Sequence, residues 1–268
     1  MPVRLPHVAG TFYPSDPEEL KKYCESRLQP YPRAALARAV LLPHAGYFYS
    51  GDTASEVLRR VTVPSRVFLI GPNHYASGAE FALCSQDEWA TPLGNVAIDR
   101  EFAVNLLGFS EEIREDDSAH RHEHSLEVEI PFLQIMNPQL KIIPLVVSTV
   151  DLTAARRIAE ACGRFLSSLG EKPLLVISSD MNHYDTDTET RIKDRYALDA
   201  ILSLDAEALV KAVRSHRITM CGFLPVYMLL IMKDVLGISK ATLVDYRTSA
   251  DATGEKERVV GYAGIIFE

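Results

Sequence analysis

Six short, unbroken apolar runs constrain this chain more than any other feature. They are "RAVLLP" (38–43), "RVFLI" (66–70), "KIIPLVV" (141–147), "PLLVIS" (173–178), "ATLVDY" (241–246) and "RVVGYAGIIF" (258–267). A strand with one wet face alternates apolar and polar residues. Continuous apolarity means that both faces are covered, as in a sheet with helices on either side. Longer amphipathic stretches lie between the runs: 16–28, 52–61, 123–136, 152–166, 195–204, 206–213 and 222–236. The first follows Ser15-Asp16 and has Pro17 at its start, which suits a helix N-terminus. Residues 78–99 read as a small antiparallel excursion, "EFALCS" followed by "NVAIDR". The repetition predicts an α/β fold, a layered α/β/α sandwich. A length of 268 residues admits one large domain or two small ones, and no Gly/Ser linker or internal repeat divides the chain. The expectation is a single domain over 1–268.

Three of the runs end at a histidine. "AVLLPHAGY" places His44 just past a strand, "VFLIGPNHY" does so for His74, and "LLVISSDMNHY" does so for His183. Ligands of open α/β sheets bind beyond the carboxyl ends of the strands. If the three strands are parallel neighbours, the three imidazoles converge on one crevice. Imidazole is the commonest metal ligand and the natural acid/base near neutrality. Two His and one anionic ligand, with open positions, suit iron(II) or zinc.

Two further stretches carry candidate chemistry. "DDSAHRHEHSLEVEIP" (116–131) is read as a loop running into a helix, which places His124 and Glu127 one turn apart on one face. His120 and His122 are read as members of a solvated loop. In "TMCGFLPVYMLL", Cys221 precedes an apolar helix. A helix N-terminus favours the thiolate, which is nucleophile and metal ligand alike. A buried, inert thiol is the other reading.

Composition removes several function classes. The net charge is −8 with no basic block, which argues against nucleic acid as a partner. The longest apolar run, "VYMLLIM" (226–232), is too short to span a bilayer, so no membrane is expected. The four cysteines, Cys24, Cys84, Cys162 and Cys221, are far apart and form no CxxC pair, which suggests a reducing compartment. With no signal-like N-terminal segment, the expected location is cytoplasmic. The chain has no GxxxxGK[ST], no GxGxxG after a strand, no HExxH and no GxSxG.

Eight stretches, "AGTFYP", "PHAGYFYSG", "GPNHY", "TPLG", "EHSLEVEIPFLQ", "SSDMNHY", "CGFLP" and "RVVGYAG", stand in the order and spacing of the Memo family, which this chain resembles from about Arg4 to its C-terminus. Prokaryotic members are labelled AmmeMemoRadiSam system protein B. The resemblance implies a fold similar to that of the class III extradiol dioxygenases, which use non-haem iron(II). It implies a metal site of His44, His74 and Cys221. His183 matches the acid/base histidine of the dioxygenase architecture, and Asp180 and His124 match the remaining polar lining. A carboxylate at Asp180 is expected to orient a neighbouring imidazole. The dioxygenases use a carboxylate where this chain has Cys221, and thiolate favours zinc or copper more than a carboxylate does. The resemblance also implies a functional association with a radical-SAM protein and an AMMECR1-like protein.

Three functions follow from this reading. The first is a dioxygenase-like iron(II) enzyme acting on a small molecule in the crevice. The second is a metal- or thiol-dependent hydrolase or transferase that pairs Cys221 with His183. The third is a non-catalytic module that binds a peptide or partner in the retained pocket.

Overall fold

The computed structural model describes residues 2–29, 31, 35–148 and 150–268. Among the described residues the strands are β1 (Val3–Arg4), β2 (Ala39–Leu42), β3 (Arg66–Pro72), β4 (Phe81–Leu83), β5 (Glu88–Thr91), β6 (Gly94–Ile98), β7 (Ile113–Glu115), β8 (Lys141–Val147), β9 (Leu174–Ser178), β10 (His183–Asp185), β11 (Ala241–Thr248) and β12 (Val259–Phe267). The helices are α1 (Pro17–Arg27), α2 (Tyr47–Leu58), α3 (Arg100–Leu107), α4 (Asp117–His120), α5 (Ile130–Met136), α6 (Leu152–Ser168), α7 (Asp187–Leu202), α8 (Ala206–His216), α9 (Phe223–Leu236) and α10 (Ser249–Thr253). All six apolar runs are strands.

The fold is mixed α/β, with a central, mostly parallel sheet flanked by helices. Its middle runs β8-β3-β9-β2, with each neighbouring pair parallel. β12 closes this block by pairing antiparallel with β2, and β11 pairs antiparallel with β12. The unbroken apolarity of β3 has its reason here. Phe68 and Ile70 join a core with α3, α6, α8 and α9, whereas Val67 and Leu69 join a second core with α1, α2 and α5. Alternate residues of one strand thus fill opposite layers. Asp16 caps α1 by accepting from Glu19 N, with Pro17 in the first turn, as the sequence predicts.

Several local expectations are corrected. The strand antiparallel to Gly94–Ile98 is Glu88–Thr91, not the "EFALCS" segment. Phe81–Leu83 instead pairs antiparallel with β8 and parallel with β7. The stretch 123–136 is loop as far as Leu126, then a 3-10 turn (Glu127–Glu129), and is α-helical only from Ile130. α2 starts five residues before Asp52 and α7 eight before Arg195. In both, the expected start was placed where amphipathic spacing becomes clear, and burial by tertiary contacts extends the helix upstream. No helix among the described residues is long and apolar enough to cross a membrane.

Candidate metal centre

β2, β9 and β3 are adjacent and parallel, so the segments beyond their carboxyl ends share one edge of the sheet. His44 follows β2, His74 follows β3, and His183 opens β10 five residues beyond the end of β9. Cys221 stands just before α9. Ligand atoms of His44, His74 and Cys221 all lie within 4.8 Å of one another. Cys221 Sγ is 3.3 Å from His44 Nε2. The His44 and His74 rings meet edge-on, with centroids 5.2 Å apart.

Each candidate ligand is held by identifiable partners. His44 is 1% exposed. Its backbone N–H donates to Asp180 Oδ1 at 2.8 Å, and its Nδ1 lies 2.7 Å from Ser178 Oγ. His74 Nδ1 bonds Glu123 Oε1 at 2.9 Å, and Glu123 Oε2 accepts from His74 N. Glu123 Oε1 also accepts from the backbone N–H groups of His124 and Ser125. These donors hold the Glu123 carboxyl down at about 2, against the opposing effect of burial. His74 is held above the usual imidazole range by Glu123, although burial opposes the shift. A carboxylate on one ring nitrogen leaves the other, Nε2, as the free ligand atom.

Cys221 is fixed by Gly222. A Cβ added at Gly222 would lie 2.3 Å from Ser179 Cβ and 2.5 Å from Ser178 O. Only glycine lets the start of α9 approach the end of β9 so closely. Asp180 N donates to Cys221 Sγ at 3.2 Å. The expected lowering of this thiol by the helix terminus is not what the surroundings produce. Burial first, then the Asp180 carboxyl, push its pKa up in the metal-free chain. A coordinated cation reverses that balance, because metal-bound thiols are deprotonated. The donor set therefore fits a metal ion: two imidazoles with free nitrogens and one sulfur, drawn together by three separate elements. The group could hold a metal, and its chemistry admits more than one.

His183 is not part of this group. Its Nδ1 donates to Thr219 O at 2.9 Å, and its N–H donates to Thr219 Oγ1 at 2.8 Å. The carbonyl can only accept, so Nε2 keeps its lone pair. Burial lowers the pKa of the ring, which favours the neutral base. The residue sits at a bulge in the β10–β12 pairing, next to Tyr184 with φ of +68°. Bulges of this kind re-aim side chains.

His124 stacks on His74 at 4.6 Å and contacts Phe12 at 4.8 Å, and burial pushes its pKa down to about 4. It lines the cluster, but Glu127 does not join it there. Glu127 accepts from Arg4, the His7 and Val8 N–H groups and the Tyr13 hydroxyl, so it anchors the N-terminal segment. Asp180 is pushed up to about 7 by burial, and it holds the His44 backbone rather than an imidazole ring as expected. The ring-orienting groups are Ser178, Glu123 and Thr219. None carries a spacing signal, because their positions depend on packing between distant segments. His122 is exposed, as expected, but His120 is buried, with Nε2 on Ala82 O at 3.0 Å, so its reading as a solvated residue is corrected. The imidazole within hydrogen-bond reach of Cys221 Sγ is that of His44.

A cavity of about 570 Å³ opens onto His74 and Cys221. Its remaining walls are largely apolar, including Val147, Ile218, Met220 and Phe223, with Arg214 and Asp151 also lining it.

Comparison with known proteins places these residues in a wider set. A family model described as Memo-like protein matches residues 4–266. A protein of Aquifex aeolicus described as a MEMO1 family protein is 42% identical, with the whole of each chain covered. Proteins with the same description from Sulfolobus acidocaldarius and Archaeoglobus fulgidus are each 37% identical, over 99% of both chains.

Proposed function

The chain belongs to the Memo-like protein family, and on that premise we propose that it binds iron(II) through His44, His74 and Cys221 and carries out redox chemistry of the extradiol dioxygenase type. The observation that carries the reading is the convergence of two imidazoles and one sulfur within 4.8 Å, beside a pocket wide enough for a small organic substrate. Bound iron(II) supplies the redox centre that activation of dioxygen requires. The chain's own groups do the rest. Apolar walls at Ile218, Met220 and Phe223 hold the body of the substrate and exclude water. His183 is not among the residues that wall this cavity, but with a neutral ring and Nε2 free it is the group assigned to take the proton of a substrate hydroxyl and return it later. Asp180 keeps the His44 backbone in place, and His124 stiffens the His74 ring by stacking. Zinc or copper is the alternative occupant, since a thiolate suits either.

The test is metal analysis and Mössbauer spectroscopy of protein purified without oxygen, followed by oxygen-uptake assays with catechols and small enediols. Stoichiometric iron(II) and uptake with one of these compounds is the expected result. Stoichiometric zinc with no affinity for iron would overturn the redox reading. Iron(II)-loaded protein that consumes no oxygen with any of them would favour the binding module.

A further inference from the structure

Ser178 Oγ has three polar neighbours, and they can be satisfied in only one way. They are His44 Nδ1 at 2.7 Å, Ser125 O at 2.7 Å and Glu129 Oε1 at 3.1 Å. A hydroxyl has one proton to give and two lone pairs with which to accept. Ser125 O is a carbonyl and can only accept, so it takes the Ser178 proton. His44 Nδ1 and Glu129 Oε1 must then both donate to the same oxygen. In the reverse arrangement Ser178 Oγ and Ser125 O would face each other at 2.7 Å with no proton between them.

We propose that Glu129 is a buried, neutral carboxylic acid which donates to Ser178 and so completes the hydrogen-bond hub in which Ser178 holds the His44 ring as its Nδ1–H tautomer, with Nε2 bare toward Cys221. Glu129 is 0% exposed, and its Oε2 has no hydrogen-bond partner among the described residues. An ionised carboxylate there would leave one anionic oxygen unpaired in the core, a costly arrangement that protonation relieves. Burial first, and the nearby Asp180 carboxyl, favour the protonated form, against the opposing effect of the Ser178 hydrogen bond. Glu129 is thus a positioning residue. It touches no reacting atom: the Ser125 carbonyl, by taking the Ser178 proton, sets which nitrogen of His44 is protonated, and Glu129 fills the last acceptor site of Ser178 Oγ and so holds that hydroxyl in place. Second-layer partners of this kind typically account for about 10–100-fold in metal affinity.

This inference builds on the metal-centre reading for its consequence, but its test does not need metal. Infrared spectra of the metal-free protein in mildly alkaline buffer should show a carboxylic-acid carbonyl band that vanishes in Glu129→Gln. Nitrogen NMR, with His44 assigned by its loss in His44→Ala, should show a protonated Nδ1 and an unprotonated Nε2. Glu129→Gln can still donate to Ser178 through its amide, so tautomer and metal affinity should hold within a few-fold. Ser178→Ala should release the tautomer and lower metal affinity about 10–100-fold. Absence of the acid band, its persistence in Glu129→Gln, or a protonated Nε2 on His44 would each overturn the proposal. A wild-type chain that shows the band and the tautomer but binds no metal would sink the metal centre and leave this inference standing.

Discussion

Cys221 Sγ lies 3.3 Å from His44 Nε2, although 177 positions separate the two residues in the chain. If this contact is half of a metal site, the thiol should be protected by metal. Cys24, Cys84 and Cys162 are fully buried, so alkylation of the folded protein reports mainly on Cys221. Metal-loaded protein should react slowly and chelated protein faster. Equal rates, followed by mass spectrometry of the Cys221 peptide, would remove this residue from the metal shell.

His44→Ala and His74→Ala should each lose most bound metal, since each removes one of about three protein ligands. Their effects on stability should differ. His74 has a partly exposed side chain, whereas His44 is 1% exposed. Denaturant unfolding should register a loss of about 1–3 kcal/mol for His44→Ala and less for His74→Ala. Full metal content in either variant would show the site to be misassigned.

His183→Gln separates the proton shuttle from the ligands. It should retain metal at near wild-type affinity, because His183 is held by Thr219 and lies outside the ligand group. Any turnover should fall by roughly 10²–10⁴-fold, the usual span for a general acid/base. Loss of metal in titrations of this variant would make His183 a ligand.

His120 makes a prediction about pH. Burial pushes its pKa down to about 4 from an ordinary 6.5. The unfolded chain therefore binds a proton between these values that the folded chain refuses. Stability is full above about pH 6.5 and falls as pH drops toward 4, by ~3 kcal/mol at most. Urea unfolding of the wild type and of His120→Gln across this range should show a smaller acid loss in the variant. Parallel profiles would mean that His120 is not the group responsible.

Arg4 and Glu127 latch the N-terminal segment to the loop that carries Glu123 and His124. Arg4 pairs with Glu127 at 2.7 Å, donates to His120 O and Glu123 O, and lies over Trp89. Glu127→Ala should cost about 3–5 kcal/mol, because it leaves a buried guanidinium without its partner. It should also weaken metal binding through Glu123. A change below 1 kcal/mol in equilibrium unfolding would mean that water or another carboxylate replaces Glu127 easily.

The sequence by itself determined the layered α/β class and the address of the site. Unbroken apolar runs such as "RVFLI" report burial on both faces, which is a local property of composition. Histidines placed just past two such runs, His44 and His74, meet because β2, β9 and β3 are parallel neighbours, whereas His183, beyond the third run, stays outside the ligand group. The candidacy of Cys221 as a ligand was legible only through family resemblance, since a cysteine before an apolar helix reads equally well as an inert core residue. Tertiary structure alone decided that Glu123 and Ser178 orient the ligand rings, that Asp180 holds backbone rather than imidazole, that His120 is buried, and that Glu127 turns from His124 to the N-terminal segment. Each of these depends on a side chain meeting a partner 38 or more positions away, or on a carboxylate choosing one of several nearby donors. Periodicity records which face of an element is covered. It carries no information about which polar group from a distant segment arrives there, and in a dry site that partner sets the charge and tautomer of the residue it meets.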